Sequence, residues 1–131
     1  MVIVDTHIFI WDIVDPKRLS GKAKAALDYH ESENELCICD ISFWEIGLLV
    51  GKGRLLLNTT VEKFINESLK YRSFTVLPIT PAVAMVVSDF ANEINSDPAD
   101  RIISATALSL KAKLITADKN LRKVKGLKTI W

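Results

Sequence analysis

Asp5, Glu45, Asp100 and Asp118 are the residues whose type and placement suggest chemistry. Each stands where a short apolar run stops or a helix begins. Asp5 closes the run Val2-Ile3-Val4, Glu45 follows Ser42 by three residues, Asp100 follows Asp97 by three, and Asp118 follows Thr116 by two. Such places also suit helix caps, where a side-chain oxygen accepts amide hydrogens that the helix leaves unpaired. Acids there gain a further ~0.3–1 kcal/mol from the helix dipole. Four carboxylates converging on one cleft would do something else: they would repel one another and raise one another's pKa. Basic side chains or a divalent cation must then offset them. Carboxylates clustered without thiol or imidazole partners suit a hard cation, Mg²⁺ or Mn²⁺.

Convergence depends on the elements that carry the acids. Short β-branched or apolar runs predict strands at 2–4, 36–39, 75–79, 113–116 and 128–131. Pro78 puts the third at an edge or a strand end. Helices are expected between them. One starts near Thr6, and Ser20 caps another that runs to about Glu31. Ser42 with Glu45, and Thr59 with Glu62, have the spacing of capping boxes. Thr80-Pro81 and Asp97-Pro98 each pair a cap with a proline in the first turn. The second of these opens a helix to about Lys111 that is apolar on most faces and should pack deeply. A short basic helix should follow Asp118. The alternation implies a mostly parallel sheet with helices on both faces, in one domain over 1–131. Crossover helices run antiparallel to the strands, so their first turns return to the rim where strands end. All four acids are therefore compatible with one rim, the edge at which open α/β sheets bind ligands.

Val4-Asp5-Thr6-His7, Ser42-Phe-Trp-Glu45-Ile46, Asp97-Pro-Ala-Asp100-Arg101 and Thr116-Ala-Asp118 resemble, in order, the four signature blocks of the PIN-domain family. The small size and the Trp-Glu-Ile and Asp-Pro-x-Asp-Arg blocks look like its VapC-type branch, the toxin ribonucleases of type II toxin–antitoxin pairs. The resemblance implies a three-layer α/β/α fold with a five-stranded parallel sheet in the order 3-2-1-4-5. It implies catalytic acids at Asp5, Glu45, Asp100 and Asp118, supported by Thr116. Asp5, Asp100 and Asp118 would hold Mg²⁺ or Mn²⁺, and Glu45 would complete a second metal site or orient the water. The reaction implied is hydrolysis of RNA phosphodiesters. The partners implied are a cognate antitoxin, which inserts a basic side chain into the acidic cleft, and a second copy in a homodimer. Ile65, Leu69 and Val83 are candidate apolar contacts for those partners.

The remaining features bound the alternatives. Of 131 residues, 49% are hydrophobic, enough for a sizeable core. No apolar run reaches the length of a membrane span, and the N-terminus lacks a basic leader, so a cytoplasmic location is expected. The formal net charge is +1, but residues 1–100 carry −6 and residues 101–131 carry +7. That asymmetry points to an anionic partner touching the last elements, with Lys119, Arg122, Lys123 and Lys125 as candidate RNA contacts. The rival reading is a non-catalytic binding module whose acids are caps and whose basic third docks an acidic partner. A receiver domain fits poorly, because strand one ends Asp-Thr and the expected strand-end lysine is missing. A phosphate-binding P-loop motif is absent. Cys37 and Cys39 alternate onto one strand face and read as buried thiols rather than metal ligands. Arg101 is expected to neutralise a neighbouring acid. Trp11 and Trp44 are expected in the core, and His7 falls outside the predicted site.

Overall fold

Val2–Val4 form β1, and all three side chains are fully buried in the computed structural model, which describes residues 1–90 and 96–131. Asn95, with which the polar stretch Asn95-Ser-Asp-Pro-Ala-Asp100 begins, lies outside those residues. β1 is the middle of a parallel sheet in the order β3-β2-β1-β4-β5. The other strands are β2 (Leu36–Cys39), β3 (Thr75–Leu77), β4 (Lys113–Ile115) and β5 (Thr129–Ile130). This is the strand order expected of the family. Central position explains why β1 carries no polar residue: both of its faces are covered.

The register decides what meets at the rim. Val4 lies opposite Ile38 on β2 and opposite Ile115 on β4. Asp5 and Thr116 therefore leave adjacent strands side by side. The Asp5 amide continues the ladder by donating to the Ile115 carbonyl at 3.0 Å.

Side chains alternate across the sheet and supply two cores. Val2, Val4, Leu36, Ile38 and Ile115 face one layer, built from α1 (Thr6–Val14), α2 (Gly21–Ser32), α3 (Ile41–Gly51) and α4 (Val61–Tyr71) through Ile8, Phe9, Leu27, Ile46 and Phe64. Ile3, Cys37, Cys39 and Leu114 face the other layer, where α6 (Pro98–Leu110) contributes Ile103 and Ala107. Both cysteines are free and buried on that face, as their alternation predicts. α5 (Pro81–Phe90) packs outside α6. On this helix Val83 is buried and so is corrected as a candidate partner contact, while Val86, Val87 and Phe90 are half-buried.

Two capping expectations are corrected. α3 starts at Ile41, ahead of Ser42, so no capping box forms there; the Ser42 hydroxyl instead accepts from the Thr6 hydroxyl at 2.9 Å. α4 is capped by Thr60, whose hydroxyl accepts from the Lys63 amide, and not by Thr59. The caps at Ser20, Thr80 and Asp97 form as expected. An ion cluster with a buried Arg72–Asp12 pair at its centre joins α1, α2 and α4. Arg72, at the end of α4, donates to both oxygens of Asp12 on α1 and to Asp28 and Glu31 on α2. Arg72 is only 7% exposed and Asp12 8%, so neither charge has water to replace its partner.

Candidate active site

Asp5 sits at the C-terminal end of β1 and is 2% exposed. One carboxylate oxygen accepts the Thr6 amide hydrogen at 2.8 Å, and the other accepts the Thr116 hydroxyl at 2.6 Å. Burial still dominates and pushes the carboxyl from 3.8 up to about 6; Asp118 and Asp97 add to the rise, and the two hydrogen bonds oppose it. Forcing a charge into this position costs about 3 kcal/mol. The strand before it offsets that, because full burial of each of its three apolar side chains is worth ~1.5–3 kcal/mol.

Thr116 joins the two strand ends. Its buried hydroxyl donates to Asp5 and accepts from the Asp118 amide at 3.0 Å. Asp118 is thereby held at the rim. Its own carboxylate turns onto the following loop, where one oxygen accepts the Asn120 and Leu121 amides at 2.7 and 3.3 Å. These bonds tie Asp118 to the loop that leads into the single helical turn Leu121–Lys123.

Glu45 comes from α3 on the far side of β1. Burial raises its carboxyl to about 7; the Thr6 hydroxyl lowers it, while Asp5, Asp97 and Asp100 push it higher. Asp100 lies in the first turn of α6, and its amide donates to the Asp97 carboxylate at 3.0 Å. The field of Asp100 at Glu45 places the first turn of α6 near the rim. Five acids from four elements thus share one electrostatic neighbourhood. Asp97 is the one that spacing did not single out: its cap position accounted for it completely, and only the field it exerts on Asp5 and Glu45 reveals it.

His7 is the second residue that sequence reasoning left out. Its Nε2 accepts the Ala117 amide hydrogen at 3.0 Å, so Nδ1 carries the ring hydrogen. That Nδ1 stands 3.5 Å from Asp5, near the limit of a hydrogen bond. Burial lowers the imidazole to about 4, and Arg18 adds to the fall while Asp118 opposes it. His7 is therefore a neutral strut between α1 and the Asp118 loop. The available signal was its place two residues after Asp5, on the same helical turn.

The donor set is oxygen only, which matches a hard divalent cation. Burial first, and neighbouring acids second, raise the carboxyls of Asp5 and Glu45, and a cation would offset the charge they carry when ionised. Yet among the described residues no three His, Cys, Asp or Glu side chains are gathered into a shell that holds an ion. The hydrogen bonds explain this: both oxygens of Asp5 are engaged at the strand end, and Asp118 faces its own loop. Beside Asp118, Lys119, Arg122 and Lys123 line an open cleft with Thr129. Lys125 is exposed but does not line it. Trp44 is 50% exposed, against expectation, since it points off α3 away from the sheet. Trp11 packs against the core but also leans on His7.

With this rim and strand order in place, residues 2–127 match the PIN domain model, and the chain belongs to that family. It is 30% identical to Ribonuclease VapC22 of Mycobacterium tuberculosis over 132 residues, 99% of this chain and 98% of that protein. Among solved structures, VapBC2 from Rickettsia felis bound to a DNA fragment from its promoter aligns with a TM-score of 0.74 at 15% identity, covering 98% of this chain and 97% of that one. A toxin–antitoxin complex from Klebsiella pneumoniae aligns with a TM-score of 0.63 at 23% identity, over 97% and 95%. At those identities the structural matches speak for the fold alone.

Proposed function

We propose that the protein is a divalent-cation-dependent endoribonuclease, a nuclease domain over 1–131 that acts as the toxin of a toxin–antitoxin pair. The observation that carries this reading is the meeting of acids at one rim: buried Asp5, tied through the Thr116 hydroxyl to the Asp118 amide, with half-buried Glu45 close enough to feel Asp5, Asp97 and Asp100. Negative charge gathered at one rim is what a cationic cofactor requires. Similarity over nearly the whole length to a protein named a ribonuclease supports the same class.

Asp5, Asp100 and Asp118 would hold Mg²⁺ or Mn²⁺, with Asp118 turning from its loop amides to do so. The bound cation would neutralise the carboxylates and polarise a phosphate oxygen. Thr116 keeps Asp5 aimed at the rim. Glu45, tuned close to neutrality, is matched to taking a proton from the attacking water near physiological pH. Lys119, Arg122, Lys123 and Lys125 contact flanking phosphates, so affinity should fall steeply with salt. An antitoxin would block the cleft by inserting a basic side chain, and two copies of the chain would form a homodimer. This reading puts the enzyme in the cytoplasm; no helix among the described residues is long and apolar enough to cross a membrane.

The binding-module reading also has an observation in its favour. Asp5, Asp97 and Asp118 all accept backbone amides as caps do. One experiment separates the two. Protein stripped with chelator is titrated with Mn²⁺ and mixed with single-stranded RNA. The nuclease reading expects cleavage and a rise in melting temperature by linkage, both lost in Asp5→Asn. No cleavage and no thermal shift at millimolar Mn²⁺ would favour the binding module.

A further inference from the structure

Arg18 reaches from the turn Pro16–Arg18 onto the indole of Trp11, its guanidinium carbon 4.1 Å from the ring centroid. Trp11 stands 4.7 Å from the ring of His7 and 6.2 Å from that of Trp131, centroid to centroid. His7 in turn accepts the amide of Ala117, the residue before Asp118. A row of planar groups therefore runs from an exposed arginine directly to the acidic rim. Packing alone accounts for Trp131 and for the inner face of Trp11, which lie against the core. It does not account for Arg18, an exposed residue whose charge rests on an indole at the lip of a site built from acids.

We propose that Arg18, backed by Trp11, is a stacking site for one base of single-stranded RNA beside the phosphate held at the acidic rim. The inference rests on the ribonuclease reading above. A guanidinium already resting on an indole loses little freedom when a base stacks on its outer face. Its charge suits a polyanion, and arginine planes and aromatic rings are the surfaces on which unpaired bases stack. Lys119, Arg122 and Lys123, which follow Asp118 in the chain, line an open cleft that would take the phosphates. The site would hold the strand in register without reading its sequence, since every base has a face to stack. It would also reject duplex, whose bases are not free to leave the helix.

The test uses a single-stranded oligoribonucleotide containing a cut mapped from total RNA, together with versions abasic at each position flanking the cut. Cleavage is followed with Mn²⁺ for wild type, Arg18→Ala and Arg18→Lys. Arg18→Ala should raise KM about 5- to 100-fold. One abasic position should do the same to the wild type, and the two losses should not add. Lysine should rescue little, because it keeps the charge but not the plane. Unchanged KM in Arg18→Ala, full rescue by lysine, or additive losses at every position would each overturn the stacking site while leaving the nuclease in place. Failure of the wild type to cleave would instead overturn the ribonuclease reading, and the stacking site with it.

Discussion

Asp5→Asn should make the protein more stable at neutral pH while abolishing its activity. The substitution keeps the shape of the side chain and removes its charge. Asp5 has its carboxyl raised from 3.8 to about 6 in the folded protein, so the native state holds this proton more tightly than the unfolded chain does. Its stabilising contribution is thus complete below the unfolded value and is lost as pH rises through the folded one. By about pH 7.5 the buried charge costs roughly 3 kcal/mol relative to low pH. Asparagine escapes that cost. It forfeits the charge-assisted bond from Thr116, which returns about 1 kcal/mol of the gain. The net expectation is about 2 kcal/mol, or roughly 5–10 °C in melting temperature for a domain of this size. Urea unfolding in chelator, followed by circular dichroism at about pH 7.5 and pH 4.5, measures it. The gain should vanish at the lower pH, where the wild-type carboxyl is mostly protonated. Equal effects at both pH values, or a less stable variant at neutral pH, would refute the argument that burial sets the state of Asp5.

Other consequences follow from the same charges. Arg72→Met should cost about 3–5 kcal/mol in urea unfolding, because it strands the buried Asp12 carboxylate; Asp12→Asn in that background should recover part of the loss. Mn²⁺ binding should release roughly one proton or more at about pH 6, where Asp5 and Glu45 are partly protonated, and almost none at about pH 9. Titration in weak buffer with a pH electrode reads this directly, and release that does not vary with pH would show that neither carboxyl takes part.

Much of this protein was legible from residue order alone. The apolar run ending at Asp5, the proline-marked helix starts at Pro81 and Pro98, and the regular strand–helix alternation are local signals, and each acts through its own few neighbours. The family's blocks carried the strand order, and with it the prospect that Asp5 lies beside Asp118. Local signals failed where a long-range partner competed. Ser42 has the spacing of a capping box, yet its hydroxyl goes to Thr6, from another helix, and α3 starts ahead of it. Only the tertiary structure could show that Asp97 is more than a cap, that His7 props the Asp118 loop, or that Arg18 rests on Trp11. Each of these depends on a distance between segments far apart in the chain, on which spacing is silent. The sequence by itself marked four carboxylates whose positions are compatible with one rim. The folded chain decided their protonation, because burial and the summed fields of neighbouring acids belong to no single segment.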